Sequence, residues 1–105
     1  MESRFVIVLN MRTAEGYVRF GQIELGMDRA SVEALYETLE GREAEGEEGF
    51  LHMDLVEIRR GLPVSMRVLN CSAVELGRNV SAISRQVFRW KNLDEGMPEE
   101  GKPET

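Results

Sequence analysis

Hydrophobic positions along this chain fall into two similar rounds, each made of two alternating runs and then a helical stripe. In the first run, over residues 4–12, Phe5, Ile7, Leu9 and Met11 take one phase, and Val6 and Val8 take the other. Alternation marks an extended strand, and apolar residues on both phases mark a strand covered on both faces. Thr13-Ala14-Glu15-Gly16 interrupts the run, with Gly16 free to adopt positive φ. A second strand is predicted over 17–25. Its apolar phase switches near Gly21, from Val18 and Phe20 to Ile23 and Leu25, as a β-bulge would make it do. Asp28 then reads as a helix N-cap ahead of Val32, Leu35, Tyr36 and Leu39 at helical spacing, with Gly41 as the stop. Residues 42–49 are charged and glycine-rich and read as an exposed, mobile loop.

The second round opens at Phe50. Leu51, Met53 and Leu55 alternate, then Val56 and Ile58 take the opposite phase, which predicts a second irregularity. Arg60-Gly61-Leu62-Pro63 supplies a turn, and Val64, Met66 and Val68 are expected to share one face of a fourth strand, opposite Ser65 and Arg67. Ser72-Ala73-Val74-Glu75 fits a capping box. Leu76, Val80, Ile83, Val87 and Trp90 follow at intervals of 4, 3, 4 and 3, one narrow stripe on a helix that ends near Leu93. The order ββαββα predicts an α+β fold of two layers, a four-stranded antiparallel sheet with two helices on one face. Residues 1–93 form a single domain, and residues 94–105 read as a disordered acidic tail containing Pro98 and Pro103.

Composition narrows the compartment more than the role. At 42% hydrophobic and 30% charged, the chain has the make-up of a soluble globular protein. Its net charge of −6 is unevenly spread. Acids crowd into 43–48 and the tail, whereas residues 50–93 carry seven basic side chains against three acidic ones. The overall acidity is therefore a weak argument against an anionic partner. The lone Cys71 cannot form an internal disulfide, and the apolar run Phe5 to Leu9 is too short for a signal peptide or a membrane span. Together these predict a cytoplasmic protein with no membrane association.

Asp28-Arg29-Ala30 with Leu39-Glu40-Gly41, then Gly61-Leu62-Pro63-Val64, then Asn70-Cys71 running into the second helix, resemble a set of small bacterial proteins of unknown function. The resemblance spans about residues 4–93 and implies no activity, so it carries over no functional residue.

Three groups of side chains could carry chemistry. His52, the only histidine, shares a strand face with Asp54 at i and i+2, and an aspartate so placed can orient an imidazole as a general base. The competing reading is a solvent-facing pair, favoured because no nucleophile is tied to it. Cys71 precedes a helix N-terminus, whose dipole could activate the thiol; a small buried residue is the plainer reading. Arg78, Arg85 and Arg89 stripe the outer side of the second helix and form a candidate polyanion face, though a solvated face paired with local acids explains them as well. No phosphate loop, nucleophile elbow or paired-histidine metal site is present, so no catalytic residue, cofactor or metal is predicted.

These features point first to a non-catalytic binding or assembly module. Its candidate interface is Val6, Val8, Val56 and Ile58 on the sheet face away from the helices, covered by a second copy in a homodimer or by another protein partner. A pocket near His52, Asp54 and Cys71, serving a ligand or an enzyme reaction, is the first alternative. Weak polyanion binding is the second, with nucleic acid disfavoured.

Because residues 94–105 offer little to bury, cutting the chain after Leu93 should leave its melting temperature nearly unchanged. A drop of more than about 5 °C in a thermal melt would show that the tail docks on the body.

Overall fold

The computed structural model describes residues 3–43 and 49–94. Strands β1 (Ser3–Thr13) and β2 (Gly16–Gly26) form a hairpin, followed by helix α1 (Arg29–Glu37). A two-residue strand β3 (Arg42–Glu43), the hairpin of β4 (Leu51–Arg59) and β5 (Leu62–Cys71), and the long helix α2 (Ala73–Asp94) complete the chain. One antiparallel sheet holds all five strands in the order β2-β1-β4-β5-β3. The α+β class, the antiparallel sheet and the two helices agree with the sequence reading. The strand count does not, because the sheet has five strands rather than four. The predicted tail beyond Asp94 and most of the predicted 42–49 loop lie outside the described residues.

The additional strand depends on Gly41. Its φ of +139° and its position against β5 leave no room for a side chain: a Cβ there would sit 2.8 Å from the Asn70 carbonyl oxygen. That close approach lays Arg42 beside Asn70 and Glu43 beside Leu69. Two residues of pairing have no periodicity, so alternation could not reveal them. Arg67 reinforces the contact by donating to both Glu43 carboxylate oxygens at 2.8 and 2.9 Å, and also to Glu37.

Helix α1 stops at Glu37, earlier than Gly41. The Thr38 backbone N–H and hydroxyl both donate to the Leu35 carbonyl, at 3.0 and 2.7 Å, and the Leu39 N–H donates to Tyr36, so the last turn tightens and closes. Asp28 occupies the N-cap, but its carboxylate accepts from the Ser31 hydroxyl rather than from a helix N–H. The capping box of α2 forms as predicted. The Ser72 N–H donates to Glu75 Oε1 at 2.9 Å, and the Glu75 N–H donates to Ser72 Oγ at 3.1 Å.

Register shifts explain the phase switches. Between Leu9 and Asn10 the partner changes from Gly21 to Arg19, leaving Phe20 as the extra residue of a bulge, beside the predicted Gly21. A second shift leaves Leu25 extra, and Leu25 joins the core. The irregularity expected in the third long strand lies instead in its partner. β4 alternates without a break, with Met53 and Leu55 toward the helices and Val56 and Ile58 away from them. Met66 of β5 is the extra residue, skipped between Ser65 and Arg67. Val68 therefore does not share a face with Met66. It pairs with Asp54 on the helix-free side, while Leu69 and Cys71 enter the core.

Both helices pack on one face of the sheet. Phe5, Ile7, Met53 and Leu55 meet Val32, Leu35 and Tyr36 of α1 and Ile83 of α2 in a single core, with Leu76, Val80, Val87 and Trp90 packed around it. The Tyr36 hydroxyl reaches across to the Met53 carbonyl at 2.7 Å. One carboxylate, Glu57, is also buried on this side; it is held by Arg29 and Arg59, each at 3.0 Å.

Ile83 is fully buried, so Ile83→Ala should destabilise the domain by roughly 2–5 kcal/mol in chemical denaturation. Arg85→Ala, on the exposed side of the same helix, should change stability by less than about 0.5 kcal/mol. Equal losses would mean that α2 presents a different face to the sheet.

Candidate functional site: the helix-free face of the sheet

The two central strands place their second apolar phase on the face that no helix covers. Val6 and Val56 are direct partners in the β1–β4 ladder, and with Val8 and Ile58 they form a separate apolar cluster. The four residues named from the sequence as a candidate interface thus lie together, because β1 and β4 are neighbours. They are not exposed, however. Val6 is 1% accessible, and Val8 and Val56 are each 8% accessible. Short side chains at the centre of the sheet sit below their longer neighbours. Arg4 is held to Glu24 at 2.9 Å, Arg19 donates to Gln22 at 3.0 Å, and Pro63 lies opposite Ile58. The result is a shallow cavity with an aliphatic floor and a polar rim, rather than a flat apolar patch.

Toward the β1–β2 turn the floor becomes polar. Asn10 pairs with His52 in the ladder, and Val8 pairs with Asp54. Asn10 Nδ2 donates to Asp54 Oδ2 at 2.9 Å. The Tyr17 ring stacks on His52, with centroids 4.5 Å apart and an interplanar angle of 23°, and the Tyr17 hydroxyl donates to the Gly49 carbonyl at 2.6 Å. His52 is therefore buried beneath an aromatic lid and does not form the solvent-facing strand pair expected from the sequence. Asp54 Oδ1 is buried and accepts no hydrogen bond among the described residues. Burial pushes the Asp54 carboxyl above the usual aspartate range, while His52 and the Asn10 hydrogen bond oppose the shift.

The sheet separates Cys71 from this site. Cys71 pairs with Leu51 and faces the helices, whereas His52 and Asp54 face away. Its thiol is buried, and desolvation, with Glu75 adding to it, pushes its pKa up to about 11. Cys71 is thus the small buried residue that the plainer sequence reading gave, and it lies on the opposite face of the sheet from the His52–Asp54 pair. Cys71 also lines a separate cavity with Gly41, Arg42, Leu51, Asn70 and Glu75. Asn79 of α2 is buried; its amide oxygen accepts from the Glu40 N–H and its amide nitrogen donates to the Glu40 carbonyl, both at 2.8 Å, and also approaches Cys71 Sγ.

The arginine stripe is partly neutralised. Arg78 grips the Glu40 carboxylate with Nε and Nη2 at 2.7–3.1 Å, and Arg85 donates to Ser81 Oγ at 2.9 Å. Arg89 remains exposed on the same helix. No group of three or more histidine, cysteine, aspartate or glutamate side chains among the described residues could hold a metal ion. No described helix is long and apolar enough to cross a membrane.

Sequence reasoning overlooked Asn10, Tyr17 and Asn79. Asn10 continues the phase of Val6 and Val8, and that signal was available. Tyr17 reaches His52 only through the β1–β2 register, and Asn79 lies just beside the apolar stripe of α2. No protein-family model, curated protein or solved structure matches the chain.

The raised Asp54 carboxyl has a defined stability signature. Between the ordinary and the raised pKa the folded state binds more protons than the unfolded state, so stability falls as pH climbs through that window. Asp54→Asn, which can keep the Asn10 bond, should melt higher than the parent at neutral pH. That difference should shrink as pH falls and vanish below about pH 3, where aspartate is protonated in both states. A lower melting temperature for the variant at neutral pH would contradict the burial argument.

Proposed function

We propose that this chain is a small non-catalytic binding module whose helix-free sheet face receives a segment of a protein partner. The observation that carries this reading is a cavity on this face, rimmed by Arg4, Arg19 and Gln22 above the apolar cluster of Val6, Val8, Val56 and Ile58. A concave surface that combines apolar side chains with convergent polar groups can serve as a recognition site. A reaction centre is the weaker reading, because Cys71 lies on the other face and the His52 ring is stacked under Tyr17.

The recessed valines also change the expected partner. A homodimer through Val6, Val8, Val56 and Ile58 would need two flat apolar patches to meet, and here those side chains lie below their rim. We therefore favour a protruding segment of another protein over the same face of a second copy as the occupant. The polyanion reading loses ground as well, because Glu40 answers the charge of Arg78.

Affinity capture from lysate with the parent, with Ile58→Glu and with Arg85→Glu tests this reading alongside sedimentation equilibrium of the parent at low and high concentration. We expect a monomer whose captured proteins are lost with Ile58→Glu and kept with Arg85→Glu, both variants retaining the parental circular dichroism spectrum. A dimer dissociated by Ile58→Glu would make the partner a second copy. A monomer with identical captures by all three proteins would sink the assignment to this face.

A further inference from the structure

The mouth of the cavity on the helix-free face is cationic toward the β1–β2 turn. Arg12 and Arg19 are both exposed there, next to Tyr17. Arg12 pairs with Tyr17 in the β1–β2 ladder and Arg19 pairs with Asn10, so the two arginines stand diagonally across neighbouring strands. Alternation from Val8 through Asn10 puts Arg12 on this face, and Arg19 lines the cavity directly. No acidic side chain among the described residues forms an ion pair with either arginine. Arg19 donates to the neutral Gln22. The described acids of the face are engaged elsewhere, Glu24 by Arg4 and Asp54 by Asn10. Tyr17 is fixed in place, its ring stacked on His52 and its hydroxyl bonded to Gly49.

We propose that this end of the face receives an acidic segment of a protein partner, with carboxylates at alternate positions of an extended chain held by Arg12 and Arg19. The inference rests on the reading of this face as a protein-binding surface and names the chemistry of what binds. Side chains at diagonal positions on neighbouring strands lie about 7–8 Å apart. Alternate residues of an extended chain lie about 7 Å apart, so a Glu-X-Glu segment meets both guanidinium groups at once. Each guanidinium presents a planar fork that matches a carboxylate. The contact uses only the exposed rim and leaves Val6, Val8 and Asp54 Oδ1 covered. Exposed ion pairs are individually weak, so they act mainly on the choice of partner and the rate of encounter. Two arginines answer two carboxylates; a nucleic-acid strand would carry further phosphates past them, against a chain of net charge −6.

The test is amide chemical-shift mapping by NMR on the full chain, with acetyl-Glu-Thr-Glu-amide, its acetyl-Gln-Thr-Gln-amide counterpart and a short oligothymidylate. We expect the acidic peptide to shift the amides of Arg12, Tyr17 and Arg19 at millimolar concentration, and the shifts to shrink in high salt. The glutamine peptide should bind about fivefold more weakly, and Arg12→Gln combined with Arg19→Gln should remove the difference. The spectrum of that variant away from the β1–β2 turn shows whether it is folded. Arg85→Gln combined with Arg89→Gln, on α2, should leave the difference unchanged. Equal binding of the two peptides, or no shift of this end by the acidic one, would overturn the proposal. So would an equal loss in the α2 variant, which would reduce the effect to net charge. If oligothymidylate saturated these amides at more than about tenfold lower concentration than the acidic peptide, the partner would be a nucleic acid and the protein source would be wrong. The binding-face reading is judged separately, by the capture experiment with Ile58→Glu.

Discussion

The pairing of β1 with β4 is the constraint on which the rest of this molecule depends. These two strands lie at the centre of the sheet, and both carry apolar side chains on both faces. A central strand of this kind must be sealed twice. On one side the seal is thick: two helices bring Val32, Leu35, Tyr36 and Ile83 down onto Phe5, Ile7, Met53 and Leu55. On the other side no helix is available, and sealing falls to small residues recessed among longer ones. Valine at positions 6, 8 and 56 suits that role because its branched side chain fills the pleat without rising above it. The candidate site is the place where this thin seal meets polar residues.

Features written in local periodicity were legible in the sequence. The two-sided character of β1 and β4, the capping box at Ser72 and Glu75, the stripe from Leu76 to Trp90 and the bulge beside Gly21 each depend on neighbours within a few residues. The convergence of Val6, Val8, Val56 and Ile58 was half legible: the second apolar phase showed on each strand, but the pairing of β1 with β4 that brings them together did not. Features created by register or by close approach were not. Strand β3 exists because Gly41 lets two backbones approach, and a single glycine does not announce its distant neighbour. Val68 changed sides because the bulge sits at Met66, on the partner of the strand whose phase switched. The burial of His52 requires Tyr17 to lie over it, which depends on the β1–β2 and β1–β4 registers together.

Charge on this acidic chain is handled locally. Arg67 donates to Glu37 and Glu43 while its guanidinium lies 5.0 Å from the centre of the Tyr36 ring, so one side chain ties together the end of α1, β3 and β5. Arg78 and Asn79 do the equivalent for α2, one holding the Glu40 carboxylate and the other its backbone. The connection from α1 to β3 is therefore fastened from both sides. Asp54 stands apart from these arrangements, because one of its oxygens is buried without a donor among the described residues.

The placement of the bulges also bears on solubility. β3 covers only the Leu69–Asn70 end of β5, and β2 forms the opposite border of the sheet. Long open borders of this kind invite another chain to add itself as a further strand. Here the β2 border is broken at Phe20 and again at Leu25, and β5 is broken at Met66 and lacks a donor at Pro63. No long run of evenly spaced backbone donors and acceptors is left to serve as a template. The irregularities that aim side chains into the two apolar clusters therefore also interrupt both open borders of the sheet.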